Sequence, residues 1–199
     1  YKYRYLGFPI AAEDVVFENI KIEHIDQLVI DKWEREDDNI YTGLDFGYKP
    51  DKNACISCHY DFDNRILYLY RELYKGELSN IQISDELEAA GFDINTRIIA
   101  DSAEPKTIAD LRSYGWYIKP TVKGKGSVEA GFKWLMGLTA IVIDSQRCPN
   151  AALEFQEYHY ELDKDGGIPE GKLYKWSQAD HAIAAVRYGL EPVWSRGGN

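Results

Sequence analysis

Apolar and polar positions change rhythm twice along this 199-residue chain. Up to residue 40 there are only short apolar pieces, at 3–10, Val15-Val16-Phe17 and Leu28-Val29-Ile30. They end in the charged run Glu34-Arg35-Glu36-Asp37-Asp38. Such a run is ordinarily solvated, which places a boundary near residue 38. Beyond it, 40–46, 54–60 and 66–73 are dense in β-favouring residues. Turn formers join them, Gly47-Tyr48-Lys49-Pro50-Asp51 and Asp61-Phe62-Asp63-Asn64. Three such segments in succession predict an antiparallel meander. From residue 79 helical and strand periods alternate. Ser79 caps a helix carrying Ile81 and Leu87 and stopped by Gly91. Residues 96–100 read as a buried strand that delivers Asp101 at its C-terminal end, and Pro105 opens a helix with Ile108 and Leu111 inward, closed by Gly115. A strand at 116–122 precedes a helix capped by Ser127 and bearing Val128, Phe132, Leu135 and Leu138. The apolar strand 140–143 ends at Asp144, and a helix follows Pro149. Asp165-Gly166-Gly167 is expected to turn a hairpin between 158–162 and 172–176, and Ser177-x-x-Asp180 to form the capping box of a last helix over 179–190. The expected fold is α/β: a mixed sheet, antiparallel meander first and parallel strands after, with helices on both faces.

Composition narrows the function. Hydrophobic residues make up 45% of the chain, enough for a full core, and the charge sum of 23 basic and 33 acidic residues is −10. A broad basic surface that grips nucleic acid by charge alone is excluded, whereas a local basic groove is not. No apolar run approaches the roughly 18 residues of a membrane span, so no membrane partner is expected. Three cysteines do not make a disulfide framework, which favours a reducing compartment. The chain opens at Tyr1 and closes at Arg196-Gly197-Gly198-Asn199, and is expected to be a piece of a longer protein.

Two motifs tempt and fail. Cys55-Ile56-Ser57-Cys58-His59 spells the covalent-haem pattern, but on a strand Cys55 and Cys58 point to opposite faces, and haem needs both thiols on one side. Core cysteine is the expectation. Gly166-x-x-x-x-Gly171-Lys172 nearly spells a phosphate-binding loop, but Leu173 stands where a metal-binding hydroxyl is required, and the segment lies in an expected hairpin rather than between a strand and a helix.

The acidic residues carry more information. Asp45 sits in an otherwise apolar strand, where an unpaired buried carboxylate is costly. Asp101 ends an apolar strand, the usual position for a site in a sheet of this kind. If the two strands are neighbours, the carboxylates repel unless a divalent cation lies between them. Oxygen-only ligands in an open site suit Mg²⁺ or Mn²⁺ rather than zinc, and such ions support phosphodiester hydrolysis. The competing reading makes Asp45 a turn former and Asp101 a cap for the helix that begins at Pro105.

Four segments occur in order: Gly43-Leu44-Asp45-Phe46-Gly47-Tyr48, Ala100-Asp101-Ser102-Ala103-Glu104-Pro105-Lys106, Lys123-Gly124-Lys125-Gly126-Ser127-Val128, and the run from Asp180-His181 to Arg187-Tyr188. Together they resemble the C-terminal nuclease domain of the large terminase subunit of tailed bacteriophages, over about residues 40–192. The resemblance implies a ribonuclease H-like fold over 39–199 and makes 1–38 a connector from a missing N-terminal ATPase domain. It also implies metal-dependent cutting of concatemeric double-stranded DNA in the cytoplasm of the infected bacterial host, alongside the portal and small terminase subunit, with Mg²⁺ or Mn²⁺, two ions in the intact site. Carried over by position, Asp45 and Asp101 match the first two catalytic carboxylates, His181 the histidine of the last motif, and Asp51 an auxiliary acidic position, whose alternative is an exposed turn residue. Helical spacing places residue 184 on the face of His181, where the family has its third carboxylate. This chain has Ala184.

Alanine at 184 is an ordinary helix-packing residue by composition; only the resemblance marks it as a vacated ligand position. The expected consequence is weak metal binding and poor cutting. Asp180, one turn from 184, is a candidate substitute ligand, with a role at the helix N-terminus as the alternative. Lys119, Lys123 and Lys125 surround a glycine-interrupted loop suited to phosphate contact, with Arg147 as a further candidate; the bland alternative is a solvated lysine loop. Two rival functions remain: a non-catalytic module that guides duplex through a packaging motor, and a junction resolvase or transposase on the same fold.

Overall fold

β2 (Ile40–Asp45), β3 (Lys52–Asp61) and β4 (Ile66–Gly76) form the antiparallel meander that the three successive β-rich segments predict, with Leu44 opposite Cys55 and Cys55 opposite Leu73. The computed structural model describes residues 15–36, 39–47, 52–160 and 179–195. Around the meander the sheet grows by parallel pairing on both sides. β5 (Ile98–Ala100) lies beside β2 and β6 (Ile118–Pro120) beside β5, while β7 (Ala140–Ile143) joins β4 and the edge strand β1 (Ile20–Ile22) joins β7. The spatial order is β1-β7-β4-β3-β2-β5-β6, seven strands in one mixed sheet among the described residues. A register shift between Ser57 and Cys58 marks a bulge in the β3–β4 pair, and bulges sharpen local twist.

Helices cover both faces, as expected of a sheet whose central strands are apolar on both sides. On one face α1 (Gln27–Glu36) packs Ile30 against Tyr70, and α2 (Asn80–Ala89) and α3 (Pro105–Ser113) bury Ile83, Leu87, Ile108 and Leu111 over Leu44, Cys55 and Leu73. On the other, α4 (Ser127–Met136), α5 (Pro149–Glu157), α6 (His181–Gly189) and the short α7 (Glu191–Trp194) enclose Phe132, Phe155, Ile183 and Val186 over Ala54, Ile56 and Leu69. Cys55 and Cys58 fall in these two opposite cores, and all three cysteines are buried thiols. The core-cysteine reading holds. No helix is long and apolar enough to cross a membrane, among the described residues.

Several local details depart from the sequence expectation. Ser79 caps α2, as expected, and does so in a full capping box with Gln82, but the residue before α4 is Gly126 at φ +80, and no side chain caps that helix. A left-handed glycine makes the entry possible without a cap. Asp180 is itself the residue preceding α6 rather than the fourth member of a box, and its carboxylate makes no capping bond. Ser177, Gly166, Gly167 and the expected hairpin lie outside the described residues. Within the stretch expected to be a connector, Val16 and Phe17 are 3% exposed, and Phe17 stacks on Phe132 at 5.8 Å. That stretch also supplies β1 and α1 to the packed body. Of its described apolar residues Val16, Phe17 and Ile30 are buried, whereas Leu28 and Val29 face solvent.

Candidate functional site

Parallel pairing of β2 with β5 aligns Leu44 with Ala100, so the next residues, Asp45 and Asp101, leave the same end of two neighbouring strands. The Asp101 N–H donates to the Leu44 carbonyl at 2.9 Å, which ties the second residue to the strand carrying the first. Along β2 side chains alternate. Leu44 enters the core under α2 and α3, so Gly43 and Asp45 face α6.

At Gly43 the helix lies directly on the strand. A Cβ there would overlap the Ala185 carbonyl oxygen and come within 2.5 Å of the Gly189 N, and one on Gly189 would meet the Gly43 N at 2.8 Å. The two glycines let α6 settle low on β2, which sets its first residue beside Asp45. His181 Nδ1 stands 3.0 Å from Asp45 Oδ2. At the far end of the same helix the Tyr188 hydroxyl donates to Asp101 Oδ2 at 3.4 Å. Positions 181, 184 and 188 share a helix face by their spacing. Ala184, 6% exposed, therefore sits between the residue that holds one carboxylate and the residue that holds the other.

Two cations complete the surroundings. Lys123 Nζ pairs with Asp101 Oδ1 and lies 5.4 Å above the Tyr188 ring, and the Ala103 N–H donates to the same oxygen at 2.8 Å. Arg187, buried and 5.5 Å from that ring on its own side, adds positive charge near Asp180. Burial raises the pKa of Asp45; the His181 bond and charge oppose this, and the neighbouring Asp101 and Asp180 add to it. The bond to Asp45 raises the His181 pKa against the effect of burial. Asp180 is raised by burial, with Arg187 and His181 pulling the other way. The centre thus holds more negative charge than its partly buried setting favours, with cations leaning on each carboxylate.

The start of α6 is fixed from below by a residue the sequence reading passed over. Glu154, on α5 and 8% exposed, accepts from the Ala182 N–H at 2.7 Å and the Ile183 N–H at 3.3 Å, and from the Tyr74 hydroxyl at 2.7 Å. A carboxylate at a helix N-terminus meets both unsatisfied N–H groups and the positive end of the helix dipole. Burial raises its pKa, and these three bonds act against the rise. Glu154 was hidden because a charge on a helix ordinarily faces water. Tyr188 was missed as a site residue although it lies in the quoted motif.

Of the candidates named from sequence, Asp45, Asp101, His181, Ala184 and Lys123 come together. Asp180 stands near enough for its charge to act on Asp45. Lys119 lies on β6 with its ammonium 5.3 Å over the Tyr117 ring, and Lys125 is exposed in the loop before α4. Asp51 lies outside the described residues. Arg147 is the exception. It follows β7, which β4 and β3 separate from β2, and it is engaged by Asp144 at 3.4 Å and by Gln27 at 2.7 Å. The expectation of a DNA-contacting Arg147 placed it by its loop, whereas its strand lies far along the sheet.

The donor chemistry fits a hard divalent cation: two carboxylates, oxygen only, at one sheet end, with Asp45 and Asp101 the residues that would hold it. No group of three His, Cys, Asp or Glu side chains poised to hold an ion exists among the described residues.

A family described as "Terminase RNAseH like domain" matches residues 45–192. The large terminase subunit of Bacillus phage SPP1 is 38% identical over 200 residues, covering 100% of this chain and 46% of that protein. The PBSX phage terminase large subunit of Bacillus subtilis (strain 168) is 30% identical over 150 residues, 75% of this chain and 34% of that one. The chain thus spans less than half the length of either relative. Among solved structures, the SPP1 large terminase nuclease domain with bound Mn superposes with a TM-score of 0.79 at 37% identity, covering 89% of this chain and 98% of that one. The nuclease domain of the P22 large terminase, at 19% identity and a TM-score of 0.61 over 89% of this chain and 91% of that one, shares the fold.

Proposed function

Because this chain belongs to the ribonuclease H-like nuclease domains of phage terminase large subunits, we propose that its carboxylate centre is that of a divalent-metal-dependent endonuclease acting on concatemeric double-stranded DNA. The observation that carries the reading is the emergence of Asp45 and Asp101 from adjacent parallel strands, Asp45 paired with His181 and Asp101 with the Lys123 ammonium. The Mn and Mg carried by related nuclease structures support the same class of ion here, Mg²⁺ or Mn²⁺, two in an intact site.

Asp45 and Asp101 would hold such an ion, which would supply an activated water and a counter-charge for the leaving oxygen. The residues around it do the rest. His181 holds the Asp45 carboxylate in place through Nδ1, and that bond raises its pKa. Tyr188 holds Asp101 Oδ2 and leaves Oδ1 to Lys123. The Lys123 ammonium, on a glycine-flanked loop with Lys125, is placed to exchange Asp101 for a DNA phosphate. Lys119 extends the same basic edge. Asp51 and Asp180 are auxiliary acidic positions of this centre.

With Ala184 in the place of a third carboxylate, this copy binds its ions weakly and cuts slowly. That absence also favours a second reading, a duplex-guiding module without catalysis. Cleavage of linear and supercoiled duplex in Mn²⁺ by this chain and by Ala184→Asp separates them. A large gain in the variant is expected; equal rates overturn the impairment, and no Mn²⁺ binding that depends on Asp45 in calorimetry overturns the nuclease reading. Preferential cutting of branched DNA would make the protein a resolvase instead. In the full-length protein we place residues 1–38 as the link to an ATPase domain, with the portal and the small subunit as partners in the cytoplasm of the infected bacterial host.

A further inference from the structure

A cavity lies away from the carboxylates, on the opposite face of the sheet and toward the N-terminal ends of β2 and β5. It measures about 680 Å³, between α1 and the loop that follows α2, and adjoins a second of about 300 Å³ through shared walls at Tyr70, Arg71 and Gly91. A volume of several hundred Å³ is the size of a small-molecule site. The floor is Ser57 and Arg71, on the same side of the sheet as Leu44 and Leu73.

Its polar groups are unevenly matched. Every acidic side chain on the walls is already engaged. Glu34 takes Arg71 at 2.6 Å; Asp93 accepts from the Asn95 N–H at 2.7 Å; Glu72 accepts from the Asn150 and Ala151 N–H groups at 3.2 and 2.7 Å. The donors are not all used. The hydroxyl of Tyr70, a residue 2% exposed, has no hydrogen-bond partner of acceptable geometry, although Glu34 is near. A buried hydroxyl left unbonded is costly, so the fold tolerates it only where something else is gained. Arg97, exposed at the rim, makes no hydrogen bond or ion pair among the described residues. The Arg71 guanidinium lies 5.7 Å over the Tyr70 ring and 5.8 Å over that of Phe92, and presents five N–H donors along its edge, of which Glu34 engages one end. Tyr117, 45% exposed, stands beside Arg97 with the Lys119 ammonium 5.3 Å over its ring.

Surplus donors around two arginines call for an anion rich in acceptor oxygens, and planar arginine forks match phosphate. The exposed ring beside them calls for a flat aromatic partner. We propose that this cleft binds a nucleoside phosphate, the phosphate between Arg97, Arg71 and the Tyr70 hydroxyl and the base against Tyr117. The site is independent of the carboxylate centre and needs no metal.

Calorimetric titration of the whole chain, without divalent metal, tests it with a deoxynucleoside monophosphate, ATP, inorganic phosphate and an unphosphorylated nucleoside. At least one nucleotide should bind about tenfold or more tighter than either phosphate or the nucleoside, the margin worth one ion-assisted contact. Arg97→Glu, an exposed change that removes no internal contact, should weaken binding about tenfold or more, and Tyr70→Phe about threefold. Asp45→Asn should leave it unchanged, so failure here and failure of the nuclease reading are separate results. The proposal is overturned if no nucleotide binds at millimolar concentration, if phosphate alone binds equally well, if Arg97→Glu has no effect, or if Asp45→Asn abolishes binding.

Discussion

Gly43 and Gly189 meet backbone to backbone, with a Cβ on either reaching within 2.5 to 2.8 Å of the other's nitrogen. This contact determines how closely α6 approaches β2, and therefore whether His181 reaches Asp45. Neither side of it is a flexible side-chain tip that can move aside. Gly43→Ala should destabilise the protein by about 3 kcal/mol or more, at the upper end of overpacking costs. Urea unfolding measures the loss, and a midpoint equal to that of the parent chain would contradict the packing described.

Glu154 links α5 to the first turn of α6. Glu154→Ala leaves two buried N–H groups and the Tyr74 hydroxyl without their acceptor, at a cost of about 2–4 kcal/mol. Glu154→Gln retains one acceptor oxygen and should lose clearly less. The order of the two unfolding midpoints is the readout, since a carboxylate acting only through its charge would make the variants equivalent.

Ala184 lies between His181 and Tyr188 on the face that looks onto the two carboxylates. Adding a third acid there increases repulsion in the absence of metal and attraction in its presence. Ala184→Asp should therefore melt below the parent without divalent ions, and gain more in melting temperature on addition of Mn²⁺, by mass action on the folded state. Thermal scans with and without Mn²⁺ check both signs. A variant whose shift with metal is no larger than the parent's would remove position 184 from the metal centre.

Asp144 holds together the segment before α1 and the loop after β7. Its burial pushes the pKa up, yet the Ile25, Gln146 and Arg147 N–H groups and His24 together hold it below the ordinary carboxylate value. A depressed folded pKa means the ionised form stabilises the fold above the unfolded value, near 4. That stability should disappear as the pH falls from about 4 through the lower folded pKa. Asp144→Asn should be less stable than the parent at pH 6, and the difference should shrink in acid. Stability profiles between pH 2 and 6 measure it, and a gap that widens in acid would reverse the sign argued here.

Much of the candidate site was legible before any coordinates. Asp45 and Asp101 stood out because carboxylates interrupt or end apolar strands, and His181 because it lies in an ordered motif. Tyr188 and Glu154 did not stand out. A tyrosine on a helix reads as core, and a glutamate between Leu153 and Phe155 reads as the solvated side of an amphipathic helix. Only the arrival of the α6 N-terminus gives Glu154 its partners. Arg147 could not be placed from its loop chemistry: strand order sets it beyond β4 and β3 from Asp45.

The amino-acid sequence by itself determined the meander, the alternation of helices and strands after residue 79, the opposite cores of Cys55 and Cys58 and the acidic residues at strand ends. Each follows from side-chain periodicity and turn chemistry acting over a few neighbouring positions. Tertiary structure alone decided that β5 lies against β2, that β1 closes the far edge, that α6 rests on two glycines and that one buried glutamate caps it. Those pairings join residues scores of positions apart, and they are selected by the packing free energy of the whole sheet, which no local pattern contains.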